Sequence, residues 1–223
     1  MTSLPVTVLV VAKAPVPGMA KTRLAEAVGP DTAADIAAAA LLDTLDAVAA
    51  APVIGRVVAM TGDLDAASRA DEIRSRLADF TVIPQRGTNF ADRLANAHAD
   101  AAVAAGPQPV LQIGMDTPQV TAALIVRSAD ALLIAPAVLG MATDGGWWLL
   151  GVHSPTDADV LRAVPMSRDD TGAITLRALR ETGINVILID ELRDVDTVDD
   201  VAAVREVSSP DSRFARATAG VGG

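Results

Sequence analysis

Three cations stand within eleven residues near the start of the chain: Lys13, Lys21 and Arg23, in the stretch Ala12-Lys-Ala-Pro-Val-Pro-Gly-Met-Ala-Lys-Thr-Arg-Leu24. An apolar, β-branched run precedes them and reads as a buried parallel strand over residues 6–12. Pro15, Pro17 and Gly18 then exclude regular structure. The chain turns helical near Ala20, which sets Lys21 and Arg23 in a first helical turn. Cations are disfavoured there, because the dipole is already positive. The placement makes sense opposite a strong anion, for which a phosphate chain is the natural candidate; an ordinary strand, loop and helix with some surface cations is the alternative. Ala12, Lys13, Ala14, Pro15, Gly18, Lys21, Thr22 and Arg23 are therefore the expected nucleotide-phosphate loop. The pattern is neither a Walker A loop, since Lys21 follows Ala20, nor a Rossmann fingerprint, since Gly18 stands alone.

Two carboxylate groups complement those cations. Gly114-Met-Asp-Thr-Pro118 follows the expected fourth strand, at the strand end where ligands gather in open α/β sheets. Asp116 reads either as a metal ligand or as a cap for the next helix. In Asp194-Val-Asp196, alternation puts both carboxylates on one face of an extended segment. Asp196 or Thr197 also reads as a helix cap, with Asp199 and Asp200 in the first turn. One aspartate from each cluster gives Mg²⁺ or Mn²⁺ two carboxylates, with phosphate and water completing the shell.

Three other segments draw attention. Asp144-Gly-Gly-Trp-Trp-Leu-Leu-Gly151 is a sharp turn, read either as a plain hairpin or as a place where a ligand meets the backbone. Asp144, Gly145, Gly146 and Trp147 are the candidate acceptor-binding residues. In Gln85-Arg-Gly-Thr-Asn-Phe-Ala-Asp-Arg93, Gln85 is placed to meet a base or sugar, with Gly87 at the loop and Arg93 toward phosphate or Asp92; a polar connection is the alternative. Arg168 in Met166-Ser-Arg-Asp-Asp-Thr-Gly172 reads as an acceptor contact or, more plainly, as part of a helix-capping segment.

Composition narrows the chemistry. The 223 residues include no cysteine and two histidines, which removes disulfides, thiolate zinc sites and a cysteine nucleophile. His98 and His153 have no legible partners and read as structural. Net charge is −10 and aromatics make up 2 %, against nucleic-acid binding and for a small anionic ligand met by a local cationic loop. No apolar run reaches the roughly 18 residues of a membrane helix, and the N-terminal run, interrupted by Lys13, is unlike a signal peptide; a soluble cytoplasmic protein is expected.

Strand and helix patterns alternate along the chain. Strands are expected at 6–12, 56–60, 80–84, 109–114, 132–136, 147–152 and 185–190. Helices are expected from 21 or 31 to 51 and at 65–77, 90–105, 121–129, 171–182 and 197–207. In the 90–105 helix, Ala95, Ala99 and Ala102 mark the expected inner face. Four strand–helix repeats in a row imply an α/β protein: a three-layer α/β/α arrangement around a mostly parallel sheet. Residues 1–208 read as a single domain and 209–223, without periodicity, as a flexible tail.

The segments 12–24, 114–118, 144–151 and 194–197, in that order, resemble the DUF2064 family, whose members are often labelled GT-A-type glycosyltransferase-like or radical-SAM/selenodomain-associated transferases. Lys21-Thr-Arg-Leu24 also resembles the 2-phospholactate/phosphoenolpyruvate guanylyltransferases, and the whole scheme is similar to molybdenum-cofactor guanylyltransferase. The resemblance implies a nucleotide-diphospho-sugar transferase (GT-A, Rossmann-like) fold and Mg²⁺-dependent chemistry on a nucleoside triphosphate or sugar nucleotide, with a small-molecule acceptor. It implies that Lys21 and Arg23 act with Asp116 in catalysis, and that Asp116, with Asp196 or Asp194, holds the metal. Asn89-Phe90-Ala91 stands where the family usually has Asp-Leu-Gly, Trp147 where many members have Tyr, and Val198 where many have Pro. Nucleotidyl transfer to a small phosphorylated acceptor is the expected activity. Glycosyl transfer and non-catalytic nucleotide binding on the same fold are the alternatives.

Overall fold

A run of β-branched residues buried on both faces defines the centre of the sheet. Strand β1, Leu4–Lys13, sends Val6, Val8, Val10 and Ala12 to one side and Leu9 and Val11 to the other. In the computed structural model, which describes residues 3–222, β1 lies inside a seven-stranded sheet ordered β3-β2-β1-β4-β6-β5-β7. Its partners are β2 (Val53–Thr61), β3 (Thr81–Pro84), β4 (Val110–Ile113), β5 (Ala137–Ala142), β6 (Trp147–Val152) and β7 (Val186–Leu192). Only β6 runs against its neighbours, pairing antiparallel with both β4 and β5. The carboxyl ends of β1, β4, β5 and β7 therefore open on one edge.

Helices cover both faces. On the side of Val6 and Val8, α2 (Pro30–Ala50), α3 (Ala70–Leu77) and α5 (Ala122–Ile134) pack through Leu41, Leu45, Ile73, Ile125 and Leu132. On the side of Leu9 lie α4 (Phe90–Ala105), a 3-10 helix (Pro155–Ala163) and α6 (Thr171–Glu181). A third, smaller core joins α1 (Thr22–Val28) and α2 to α7 (Val198–Val207) and α8 (Arg213–Ala217) through Leu24, Ile36, Val195, Val204 and Phe214. This is the expected three-layer α/β/α arrangement, and each large core side chain excludes water from two packed layers.

The structure departs from the sequence expectation in five places. The strand expected at 132–136 is the last turn of α5; the strand begins after Pro136, as β5. Leu124, Ile125, Ser128, Ala129 and Leu132 bury one face at helical spacing, and a short apolar run does not by itself tell helix from strand. The first helix is broken: Gly29, at φ 85°, separates α1 from α2. The expected 65–77 helix starts only at Ala70, since Asp63 accepts from the Asp65 amide and Arg69 sits in the left-handed region, clamped by Asp35. On α4, Ala91, Leu94, Ala95, Ala97, His98 and Ala101 are buried, whereas Ala99 and Ala102 are half-buried; of the three alanines expected inside only Ala95 is, because the buried face is centred on Leu94 and His98. Finally, the stretch after Ser208, expected to fray, carries α8 and buries Phe214 completely, while Gly223 lies outside the described residues.

Candidate functional site

The site forms where the strand order reverses direction in sequence. β2 and β4 flank β1, so the loop after β1 and the loop after β4 face one another across a crevice. The first loop delivers Lys13, Lys21 and Arg23, and the second delivers Asp116. The connection after β7 brings Asp194 and Asp196 to the same edge, and the Val195 amide donates to the Asp116 carbonyl at 3.1 Å, tying the two acidic segments together. Asp116, Asp194 and Asp196 each present a carboxylate oxygen, and these oxygens lie within 4.8 Å of one another.

Neither acidic segment spends these carboxylates on capping. Thr121 caps α5, accepting from the Leu124 amide, so Asp116 is left to the crevice. Thr197 caps α7 in a reciprocal box with Asp200, which leaves Asp196 free. Side chain Asp196 instead meets Lys21, whose ammonium donates at 2.7 Å to Asp116 Oδ2 and at 2.7 Å to Asp196 Oδ1. Burial opposes the charge on Lys21, but Asp116 and Asp196 outweigh it and raise its pKa above the ordinary lysine value. Asp194 is pushed up to about 7 by burial first, then by the charges of Asp116, Asp144 and Asp196, with Lys21 partly opposing. Packed like charges with hard oxygen donors and no sulfur or imidazole fit Mg²⁺ or Mn²⁺, since a cation there relieves their repulsion.

A cavity of about 300 Å³ adjoins these groups, lined by Lys13, Lys21, Thr22, Arg23, Asp116 and Asp196. Met19, Ala20, Ala37 and Met115 complete it. Three of these four adjoin expected site residues in sequence, and adjacency would have found them. Ala37 carries no chemical signal, and α2 packing alone brings it there. The cations are less free for phosphate than the sequence suggested. Lys21 precedes the short helix α1 with φ 47° and faces carboxylates. Lys13 Nζ donates to the Met19 carbonyl at 2.9 Å. Arg23 is 75 % exposed, with only a 3.6 Å contact to Asp196. The backbone upstream is already engaged: Ala12 carbonyl accepts from Gln85, the Ala14 amide donates to Thr61 and the Pro15 carbonyl accepts from Ser68. Gly18, at φ 75°, turns the loop in open space.

Several expected contacts go elsewhere. Gln85 Nε2 bridges the Ala12 and Ala59 carbonyls at 2.8 and 2.9 Å, bracing β1 against β2 rather than reaching the cavity. Gly87, at φ 145°, lies so close to Asp92 that a Cβ would sit 2.7 Å from its Cβ; the glycine serves packing. Asn89 caps α4, accepting from the Asp92 amide at 2.8 Å. Arg93 is half-buried and does not line the cavity. Asp144 Oδ1 accepts from the Gly146 amide at 2.8 Å in the β5–β6 turn, and Gly145, at φ 91°, lies directly against the Asp169 carbonyl, so protein rather than ligand demands that glycine. Asp144 does stand near enough for its charge to bear on Asp194. Trp147 is half-buried at the turn, while Trp148 is 2 % exposed and donates from Nε1 to the Asp190 carbonyl at 2.8 Å. Arg168 pairs with Asp170.

Comparison with known proteins agrees with this architecture. The family described as "Uncharacterized protein conserved in bacteria (DUF2064)" matches residues 44–168. The phosphoenolpyruvate guanylyltransferase of Streptosporangium roseum is 32 % identical over 192 residues, covering 82 % of this chain and 78 % of that protein. A crystal structure from Desulfovibrio desulfuricans G20, described as a nucleotide-diphospho-sugar transferase, superposes with a TM-score of 0.84 at 25 % identity, covering 98 % of this chain and 96 % of that one. The manganese complex of Rv0371c from Mycobacterium tuberculosis H37Rv shares the fold, at TM-score 0.54 and 20 % identity over 89 % of this chain and 97 % of that one. With its motifs in order and its sheet of this topology, the chain belongs to the DUF2064 family and carries the nucleotide-diphospho-sugar transferase fold.

Proposed function

We propose that this transferase is a divalent-metal-dependent nucleotidyltransferase, moving a nucleoside monophosphate from a triphosphate onto a small phosphorylated acceptor. The observation that carries the reading is the meeting of Asp116, Asp194 and Asp196 with Lys21 beside a cavity that Lys13 and Arg23 also line. Asp116, with Asp196 or Asp194, would hold Mg²⁺ or Mn²⁺, which when bound neutralises phosphate charge. The protein's own task is positioning and electrostatics. Lys13, Lys21 and Arg23 would hold the phosphates and oppose charge developing on the leaving group. An acceptor phosphate oxygen forms the new bond to the α-phosphorus as the bond to pyrophosphate breaks, and pyrophosphate leaves with the electron pair. Asp144, whose charge bears on Asp194, and its neighbour Trp147 would lie on the acceptor side. The guanylyltransferase relative supports GTP as the donor and phosphoenolpyruvate as the acceptor to test first. The manganese complex of a protein with this fold supports the metal.

The likeness to a nucleotide-diphospho-sugar transferase favours a second reading, in which an acceptor hydroxyl attacks the anomeric carbon of a sugar nucleotide and a nucleoside diphosphate leaves. Product analysis separates the two. The protein is incubated with nucleoside triphosphates or sugar nucleotides, Mg²⁺ or Mn²⁺, and phosphorylated or hydroxylated acceptors. Metal-dependent pyrophosphate release is expected. Nucleoside diphosphate release instead selects the glycosyl reading. Binding of nucleotides without turnover of any donor selects a non-catalytic role.

A further inference from the structure

Lys21 occupies the place a divalent ion would need. Its ammonium lies 2.7 Å from an oxygen of Asp116 and 2.7 Å from an oxygen of Asp196, and its side chain is 11 % exposed. Carboxylate oxygens hold Mg²⁺ at about 2.0–2.1 Å, so an ion drawn between the same two oxygens would nearly coincide with the ammonium. Two positive charges so close in a partly buried pocket repel strongly. The pocket therefore holds one or the other. The ammonium is a poor match for the whole acidic set: it pairs with two of the three carboxylates, and Asp194 is left without an ion pair among the described residues. A place for a displaced ammonium is also present, since Lys21 borders the cavity that Lys13 and Arg23 line.

We propose that Lys21 is a tethered counter-ion that competes with the divalent ion for Asp116 and Asp196 and yields them when a nucleotide's phosphates offer it another anion. The idea rests on the metal-binding reading above and adds a regulation to it. Without nucleotide, metal must displace Lys21 into a cavity whose other charged lining residues, apart from the two carboxylates the metal takes, are the cations Lys13 and Arg23. With nucleotide, Lys21 exchanges two carboxylates for phosphate oxygens and frees the acidic set. Metal and nucleotide then assist one another's binding, and the assistance is equal in both directions. A purely structural salt bridge would predict the opposite for metal, since breaking it would loosen the loops that carry the ligands.

Mn²⁺ binding tests this, read by electron paramagnetic resonance of the free ion without GTP and, with GTP, against a protein-free blank of Mn²⁺ and GTP, because the triphosphate alone ligates the ion. The parent, Lys21→Met and Lys21→Gln are titrated with Mn²⁺ alone and with Mn²⁺ in saturating GTP. Methionine keeps most of the stem and glutamine keeps a donor, so at least one variant retains the loop. In the parent, GTP should tighten Mn²⁺ binding by roughly tenfold or more, within the usual span of coupling between sites. Without GTP, both variants should bind Mn²⁺ roughly tenfold tighter than the parent, and GTP should tighten their Mn²⁺ binding less than it tightens the parent's, since phosphate still ligates the ion but the share of the coupling that runs through Lys21 is gone. Thermal unfolding gives a second reading: Mn²⁺ should raise the midpoint of the variants more than that of the parent. Equal or weaker Mn²⁺ binding by both variants without GTP overturns the competition and leaves the metal reading standing. Absence of Mn²⁺ binding in parent and variants, with and without GTP, overturns the metal reading and this proposal together.

Discussion

On the proposed reading, Asp116 is the residue on which the chemistry would turn. It is spared from capping, is bound to the neighbouring acidic loop through its own carbonyl, and shares Lys21 with Asp196. Asp116→Asn keeps the size and removes the charge. It should lower metal-dependent turnover by at least roughly a hundredfold, as expected for loss of a ligand that aligns charge at the reacting phosphate. Asp196→Asn should have the same direction and a smaller effect. Steady-state rates at several Mg²⁺ concentrations check both, and parent-like rates for Asp116→Asn would remove it from the site. Position 89 leads to the opposite expectation. Asn89 accepts from the Asp92 amide at the start of α4, and aspartate caps equally well. Asn89→Asp should therefore leave nucleotide affinity unchanged, as measured by calorimetry, even though it restores the residue usual at that place. A changed affinity would mean that the α4 cap reaches the nucleotide.

At the scale of elements, the C-terminal helix α8 supports the site from behind. Phe214 is wholly buried beside Leu24, one residue beyond Arg23, and Val195, between Asp194 and Asp196. Arg213 also reaches Asp43 and Asp46 on α2, and Arg205 holds the Thr218 and Val221 carbonyls. Phe214→Ala should cost about 3–5 kcal/mol, the usual loss for emptying a buried phenylalanine site. For a chain of this length that lowers the unfolding midpoint on the order of 10 °C. Nucleotide affinity should fall as well at temperatures where the variant is folded, since Leu24 and Val195 lose their shared support. A normal midpoint would show that α8 docks only loosely. The β5–β6 turn gives a second element-scale expectation. Gly145→Ala places a Cβ against the Asp169 backbone at a φ of 91° and should cost at least about 1–3 kcal/mol, checked by urea unfolding.

Over the whole molecule, a buried histidine ties stability to pH. His98, on α4, is fully buried, and neither ring nitrogen has a hydrogen-bond partner among the described residues. Burial pushes its pKa down to about 3 from 6.5. The folded protein thus keeps His98 neutral between those values while the unfolded chain binds a proton. Unfolding takes up a proton in that window, so stability rises with pH and reaches its full value above about 6.5. As pH falls from 6.5 toward 3, this one residue should remove stability on the order of 1 kcal/mol per pH unit. His98→Leu should flatten the slope over that range in denaturant titrations. An unchanged slope would mean that carboxylates alone set the acid limit. No helix among the described residues is long and apolar enough to cross a membrane.

Periodicity and local chemistry determined much of this protein in advance. The β-branched run of β1, the exact span of Trp147–Val152 and the span of Phe90–Ala105 were legible because each depends on neighbours in sequence. The strand ends bearing Lys13, Asp116 and Asp194 were legible too, because an α/β sheet collects such loops at one edge. Tertiary structure decided the rest. That Thr197 caps α7 is one of two local readings, but where the released Asp116 and Asp196 meet is a matter of the folded sheet. Gln85 was drawn to strand carbonyls on β1 and β2 that lie far from it in sequence. Phe214 gave an aperiodic tail something to bury, through contacts with α1, α2 and α7 that no local pattern encodes. Lys21 is the clearest case. Its charge and place in the loop pointed to phosphate, but charges choose the nearest opposite charge in space. Only the folded sheet brings Asp116 and Asp196, 95 and 175 residues away, within 2.7 Å of its ammonium.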